Sequence, residues 1–283
     1  MSETREAEQP VTAVSAGSAH HRRTWGDLPT VLRRGIVLVA LLGAWQLSTL
    51  FMTGAQAQLM RGPLEVGEAI VDGFARGDLV DATLTTLRIL LLSMAIGIVV
   101  AALLTTFAMW SKLGDDILNL LTAMINPLPA IALLPLAMIW IGLNTTALVV
   151  IIANAVIWPL AINVSTGFRT VNPTLLAVGR NIGLSGWRLV RGVYLPAALP
   201  HIVSGIKTGW AFGWRTIIAA ELVFGVAGEG GGLGYFINYA RFFNRTEDMF
   251  AGIVTIMIIG IAFDLLFSLL ERKTVIKWGM KTA

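Results

Sequence analysis

The sequence predicts an all-α membrane protein built on six transmembrane helices, and three observations predict it. Hydrophobic residues make up 55% of the 283 and charged residues 13%, where an ordinary soluble domain carries about 25% charged residues. Mean hydropathy is +0.74. Six apolar segments, at 35–52, 83–109, 117–141, 145–167, 200–226 and 249–270, each come close to the ~20 residues that cross a ~30 Å hydrocarbon core. In lipid the backbone must satisfy its own hydrogen bonds, so these segments read as helices rather than strands.

Residues 1–30 mix acids and arginines with few large apolar side chains, the composition of a solvated cytoplasmic tail. Arg22-Arg23 could begin a twin-arginine export signal, but no apolar run follows them directly, and Arg33-Arg34 precede the first span. They read as charges that orient this span. Without a small-residue cleavage site, the span reads as a retained anchor. Residues 31–82 hold that first helix and an outer segment in which Pro63-Leu64, Val66, Ile70, Val71 and Phe74 recur at helical spacing between acids. A short amphipathic helix on the outer face is expected there. Residues 83–270 form the core transmembrane domain, interrupted by a long connection at 168–200, and 271–283 form a basic tail.

Orientation follows from the connections. The segment 168–200 carries Arg169, Arg180, Arg188 and Arg191 and no acid, and the tail sets Glu271 against Arg272, Lys273, Lys277 and Lys281. Residues 53–82 hold five acids against Arg61 and Arg76. The positive-inside rule therefore puts 168–200 and both termini in the cytoplasm, with 53–82 and 227–248 outside. Only 110–116 fits poorly, with Lys112 against Asp115 and Asp116. The pI of about 9.8 reflects this topology rather than nucleic-acid binding.

Polar residues inside the spans are candidates for the translocation path. The third segment carries Asn126-Pro127-Leu128-Pro129 and Pro135, and proline removes a backbone donor and prevents a straight helix. Irregular backbone at membrane depth is tolerated where protein buries it or where it lines a watery cavity. Asn126 and Pro129 thus belong either to a packed kink or to the path. In the fifth segment Arg215 and Glu221 are the deepest charges, and a charge at the bilayer centre costs ~2.5–3.5 kcal/mol on insertion scales. Six residues apart, at about 100° per residue, they share no helix face and each needs its own partner. Arg215 reads as a contact to an anionic substrate or gate, or as one end of an interhelical bond. Glu221, near the outer end, reads as structural or as part of the path, while Lys207 and Arg88 would snorkel to the interfaces. Asn154 and Trp158 share a face of the fourth segment, and Asn154 serves either a helix–helix bond or the path.

Several chemistries are excluded. No G-x-x-x-x-G-K-[ST] phosphate loop occurs, so ATP hydrolysis by this chain is not expected. Gly228-Glu229-Gly230-Gly231-Gly232-Leu233-Gly234 has no lysine and fits no nucleotide fingerprint; it reads as a flexible turn. There is no cysteine, and the three histidines, His20, His21 and His201, have no ligand spacing. Neither G-x-S-x-G nor H-E-x-x-H is present, so an intramembrane enzyme lacks its constellation, and no metal or other cofactor is expected. A stand-alone secondary transporter would show inverted repeats or paired broken helices, and no convincing repeat is seen.

The remaining motifs resemble those of one family. Gly183, nine residues, then Val193-Tyr194-Leu195-Pro196 is similar to the "EAA loop" of ATP-binding-cassette (ABC) importer permeases. Thr86-Leu87-Arg88, Pro127-x-Pro129, Leu134-Pro135-Leu136, Trp214-Arg215, Ala219-Ala220-Glu221-Leu222 and Gly232-Leu233-Gly234-Tyr235 follow in the family's order. Over about residues 60–270 the chain resembles permease subunits of type I ABC importers, within the nitrate/sulfonate/taurine branch. One departure is plain: Ala177, Val178 and Gly179 stand where that family has its acid and two small residues, so the glutamate is absent.

The resemblance implies the type I importer permease fold, with 168–200 as a coupling loop that docks onto an ATPase. Ala177, Gly179, Arg180, Gly183, Leu184, Ser185, Trp187, Arg188, Leu195 and Pro196 would carry the coupling. Two short amphipathic helices turned at Gly183 would insert Leu184, Trp187, Leu189 and Val190 as apolar anchors within an arginine rim. It also implies a second permease copy as homodimer, two cytoplasmic ATPase subunits that hold ATP and Mg, and an extracytoplasmic substrate-binding protein. The expected location is a bacterial inner membrane. The cargo would be a small anion such as a sulfonate, taurine, nitrate or a carboxylate, with Trp214 and Arg215 on its path; a vitamin precursor is the alternative cargo.

Overall fold

A computed structural model describes residues 29–54, 59–224 and 231–273. His20, His21, Arg22-Arg23, Gly228 to Gly230 and most of both expected tails lie outside the described residues. The chain falls into two compact units, Met1–Phe51 and Met52–Ala283. In the first, α1 (Thr30–Leu50) is a helix of 21 residues with no buried side chain. It is about 31 Å long, enough to cross a hydrocarbon core.

The second unit is a helical bundle. Its first helix, α2 (Pro63–Arg76), turns Val66, Ala69 and Gly73 inward and leaves Leu64, Val71 and Phe74 exposed. The Gly62 N–H donates to Glu65 Oε2 at 3.3 Å at its start, and Gly77 ends it at φ +91°. Next come α3 (Asp78–Trp110) and α4 (Lys112–Ile125), the latter capped by Ser111 Oγ, which accepts from the Gly114 N–H at 2.9 Å.

Over 117–141 the prolines are expected to prevent a straight helix, and the segment is sharply broken. The chain leaves α4 at Asn126, passes Pro127 and Pro129, makes a 3₁₀ turn at Ala130–Leu133 and enters α5 (Leu134–Ile141), bent by 89° from α4. Two prolines within three residues remove two helix donors and push the residues before them out of the α region. Pro135 sits in the first turn of α5, where a missing N–H costs nothing. Five described helices are long and apolar enough to cross a membrane, or six if α4 and α5 count as one broken span.

The centre of the bundle is α6 (Thr145–Arg169), of whose 25 residues 13 are buried, around Pro159. Asn144 Oδ1 caps it by accepting from the Ala147 N–H at 3.1 Å. After α6 come α7 (Pro173–Asn181), the single turn α8 (Gly186–Leu189), a π-helical turn Val190–Tyr194, and α9 (Leu195–Phe224). The helix of the fifth span thus starts at Leu195, ahead of the apolar segment 200–226, with Pro196 in its first turn as proline's tolerance there leads one to expect. It crosses α6 on a stripe of Gly205, Gly209 and Gly213 that the sequence reading passed over. A Cβ on Gly213 would stand 2.9 Å from Leu90 Cδ1 and 3.1 Å from Val156 Cγ2. In lipid, helices associate through close packing rather than through a hydrophobic drive, so small residues at a crossing decide the contact.

The outer connection also differs from expectation. Leu233–Phe242 is a helix, α10, where 227–248 reads as loop, and α11 (Thr246–Glu271) follows it. Its Leu233, Gly234, Ile237 and Asn238 are buried, so this stretch is packed inside the bundle rather than left as a turn.

Candidate functional site

The bundle has two ends of different character. At the first lie the ends of α3 and α6, the start of α9 and the connection between α6 and α9. Asn172 starts the connection, its Oδ1 accepting from the Thr174 N–H at 2.8 Å, and Pro173 follows at the first helical position. The C-terminus of α7 closes in a Schellman-type turn: the Leu184 N–H donates to the Gly179 carbonyl at 2.9 Å and the Gly183 N–H to the Arg180 carbonyl at 3.0 Å. Gly183 takes φ +83°, the left-handed conformation this turn requires. Gly179 is tightly enclosed: a Cβ there would meet Leu189 Cδ1 at 2.9 Å and Val193 Cγ2 at 3.0 Å. The family's small residue at this position thus has a steric reason in this chain, since α7 lies directly on the turn that leads into α9.

What the connection presents outward is specific. Leu175, Val178, Ile182 and Trp187 are exposed, Ile182 by 71% and Trp187 by 68%. Ala177, Arg180, Ser185, Arg188, Arg191 and Pro196 are exposed beside them, while Leu184 and Leu195 are half-buried. Leu189 is buried against Gly179 and Val190 is half-buried. This corrects the reading of Leu189 as an anchor; the most exposed apolar side chains of the connection are Leu175, Val178, Ile182 and Trp187, with Leu184 and Val190 half-buried. Behind Trp187 an apolar cavity of about 330 Å³ opens between Trp110, Val164 and Ile206.

The connection is fixed to the bundle at its root. Arg169, the last residue of α6, pairs with Asp115 and donates to Asn119 Oδ1 at 3.4 Å, both on α4. Phe168 packs edge-on against Tyr194 at 6.0 Å. The end of α6 is thus tied to α4, and the turn that closes the connection packs back on α6. Of the two acids at 110–116, which fit the orientation poorly, Asp115 thus has a local use as the partner of Arg169.

The path candidates do not form one cluster. Asn126 and Pro129 are exposed at the break between α4 and α5. Asn154 Oδ1 accepts from Trp158 Nε1 at 3.0 Å within α6, so its bond is intrahelical and not the interhelical one considered from the sequence. Trp214 is buried, whereas Arg215 is exposed; both line a pocket between α9 and α11. Lys207 does not snorkel away: its Nζ lies 2.9 Å from Asp264 Oδ1 on α11. Asp264 was missed in the sequence reading, although it is a lone acid in a run of apolar residues and was legible as such.

Glu221 belongs to the opposite end. It is buried, 4% exposed. Thr86 Oγ1 donates to its Oε1 at 2.9 Å, and the Gly234 N–H donates to its Oε2 at 2.9 Å. Thr86 Oγ1 in turn accepts from the Leu233 N–H at 2.8 Å. One carboxylate thereby ties α3, α9 and the start of α10 together. Around this end Arg61 lies 3.4 Å from Glu247, Arg76 lies 3.4 Å from Asp248, and Arg245 also pairs with Asp248.

Residues 93–276 match the family model described as "binding-protein-dependent transport system inner membrane component". Over 188 residues, 66% of this chain and 65% of the relative, the sequence is 33% identical to a putative aliphatic sulfonates transport permease protein of Bacillus subtilis. Over 157 residues, 56% of each chain, it is 32% identical to the taurine transport system permease protein of Escherichia coli. The matches thus span less than two thirds of the length of these relatives. Among solved structures, an amino acid ABC transporter is similar at a TM-score of 0.58 and 19% identity, over 70% of this chain and 95% of that one.

Proposed function

Since the chain belongs to the family of inner membrane components of binding-protein-dependent transport systems, with the type I ABC importer permease fold, we propose that it is the membrane-spanning subunit of an ATP-driven importer of small anions. The observation that carries this reading is the connection between α6 and α9. It is a projection with a basic rim, tied to α4 through Arg169 and continuous with α9, whose outward face is covered by nothing among the described residues. Leu175, Val178, Ile182 and Trp187 would enter a cleft on a cytoplasmic ATPase, and Arg180, Arg188 and Arg191 would surround them. The arrangement suits a force transmitter: it is held inside by Gly179 and Leu189 and hinged to the bundle through Arg169 and Tyr194. The family's glutamate is not needed for this, because apolar insertion and arginines carry the contact.

In this reading a second copy of the permease completes the path, two ATPase subunits bind ATP and Mg, and a separate binding protein delivers the substrate on the opposite side. The connection and both termini lie in the cytoplasm, with α2 and α10 outside. A homodimer is the simplest assembly. Closure of the ATPases draws the two connections together and turns the cavity outward.

The likeness to sulfonate and taurine permeases supports a small sulfonate as cargo, and Arg215 supports an anion. The test is uptake of radiolabelled ethanesulfonate into proteoliposomes that contain the permease and its ATPase, with binding protein outside. Uptake is expected to require ATP inside and binding protein outside. Uptake without the ATPase, or of neutral and cationic solutes alone, overturns the proposal.

A further inference from the structure

On α9, Lys207, Ala211 and Arg215 are spaced four apart and form one stripe. On α11, Gly260 and Asp264 do the same. The two stripes face each other across a pocket of about 180 Å³, closed on one side by Trp210, Trp214 and Phe267. Ala211 and Gly260 leave its middle empty. The aromatic wall is fixed: the Trp210 ring lies 3.7 Å from Phe263 and parallel to Trp214, at 8° and 6.1 Å.

The charges of this pocket are open in a single copy. The Asp264 side chain is 66% exposed and Lys207 38%, and Arg215 is exposed as well. A membrane helix does not turn two cations and a carboxylate toward lipid tails, so this face meets water or protein. The polar groups are unequal. Asp264, the one carboxylate in the pocket, is held by Lys207 at 2.9 Å. Arg215 makes no ion pair among the described residues, and the Trp214 indole N–H makes no hydrogen bond among them. A Cβ at Gly260 would stand 3.6 Å from that nitrogen, so glycine keeps it accessible. Two free donors and one net positive charge, from two cations and one anion, remain.

From this arrangement we infer that the pocket between α9 and α11 binds a small organic monoanion. Arg215 holds two oxygens of its head in the bidentate manner of guanidinium, and the Trp214 N–H takes a third. The Trp210 and Phe267 side chains receive the carbon tail. Asp264 is the specificity residue: by neutralising Lys207 it limits the site to one net positive charge and disfavours dianions. The inference rests on the reading of the chain as an anion permease and adds the site and its charge rule.

The test is binding to the permease–ATPase complex in lipid nanodiscs without binding protein, followed through tryptophan fluorescence, with ethanesulfonate and ethane-1,2-disulfonate as probes. Wild type is expected to prefer the monoanion, and Arg215→Gln should weaken it about tenfold or more. Asp264→Asn should shift the ratio of the two affinities about tenfold toward the dianion. The double variant Lys207→Met, Asp264→Leu restores one net charge and should keep the wild-type ratio; Lys207→Met alone should shift it the other way, so the charge rule remains testable if Asp264→Asn does not assemble. An unchanged ratio in the single variants, or full ethanesulfonate affinity in Arg215→Gln, overturns the inference. If the complete wild-type system imports ethanesulfonate while these variants leave binding untouched, only the site is wrong; if it imports no anion, the proposed function itself fails.

Discussion

At the end of the bundle that holds α2 and the start of α11, Arg61, Arg76 and Arg245 each pair with an acid, and buried Glu221 is bonded on both oxygens. At the other end Arg180, Arg188 and Arg191 make no ion pair among the described residues, and Ile182 and Trp187 stand exposed between them. The first end is completed within the chain. The second presents groups that nothing among the described residues buries or pairs, and in the proposed assembly a partner does so. Damage to the first should therefore show as lost stability, and damage to the second as lost association in a protein that stays folded.

The largest effect is expected from Glu221→Ala. It strands the Thr86 hydroxyl and the Gly234 N–H without acceptors, at about 1–3 kcal/mol each. Thermal unfolding in detergent should drop steeply, while the protein that remains folded binds its ATPase normally. Gly183→Val comes next. A β-branched residue at φ +83° costs roughly 1–2 kcal/mol in backbone strain and deforms the turn that sets Ile182 and Trp187. ATPase binding should fall well over tenfold, with a smaller thermal shift. Trp187→Ala removes an exposed aromatic anchor; about tenfold weaker binding is expected at an unchanged melting temperature, and a large thermal loss would break the comparison. Arg188→Glu should weaken association only a few-fold and less at high salt, as a rim charge does. Smallest is Arg61→Ala: its pairs are partly exposed and are worth less than about 1 kcal/mol.

Much of this contrast was legible in the sequence, because it is a contrast of charge. The arginines of 168–200 stand without acids, Gly183 marks a turn, and the prolines at 127 and 129 announce a broken helix. What was not legible depends on which helices meet. Glu221 is bonded to a threonine 135 residues away, and nothing local signals that distance. Leu189 was read as an outward anchor because it is apolar and near Trp187; only the approach of α7 at Gly179 shows that it faces inward. The helix Leu233–Phe242 was hidden by the glycines before it, which suggest a turn. Asp264, by contrast, was an omission: an acid in an apolar span calls for a partner, and Lys207 was the available one.

The central claim is that the connection between α6 and α9 is the face that meets the ATPase. The chain contains no cysteine, so single cysteines can be placed without background. Ile182→Cys and Trp187→Cys, in the reconstituted permease–ATPase complex, should each cross-link to the ATPase through a short bifunctional reagent, with yields that change on ATP binding. Leu64→Cys and Val71→Cys on α2 should give none. Cross-links from α2, or none from Ile182 and Trp187 in a complex that still hydrolyses ATP in response to substrate, would contradict the account.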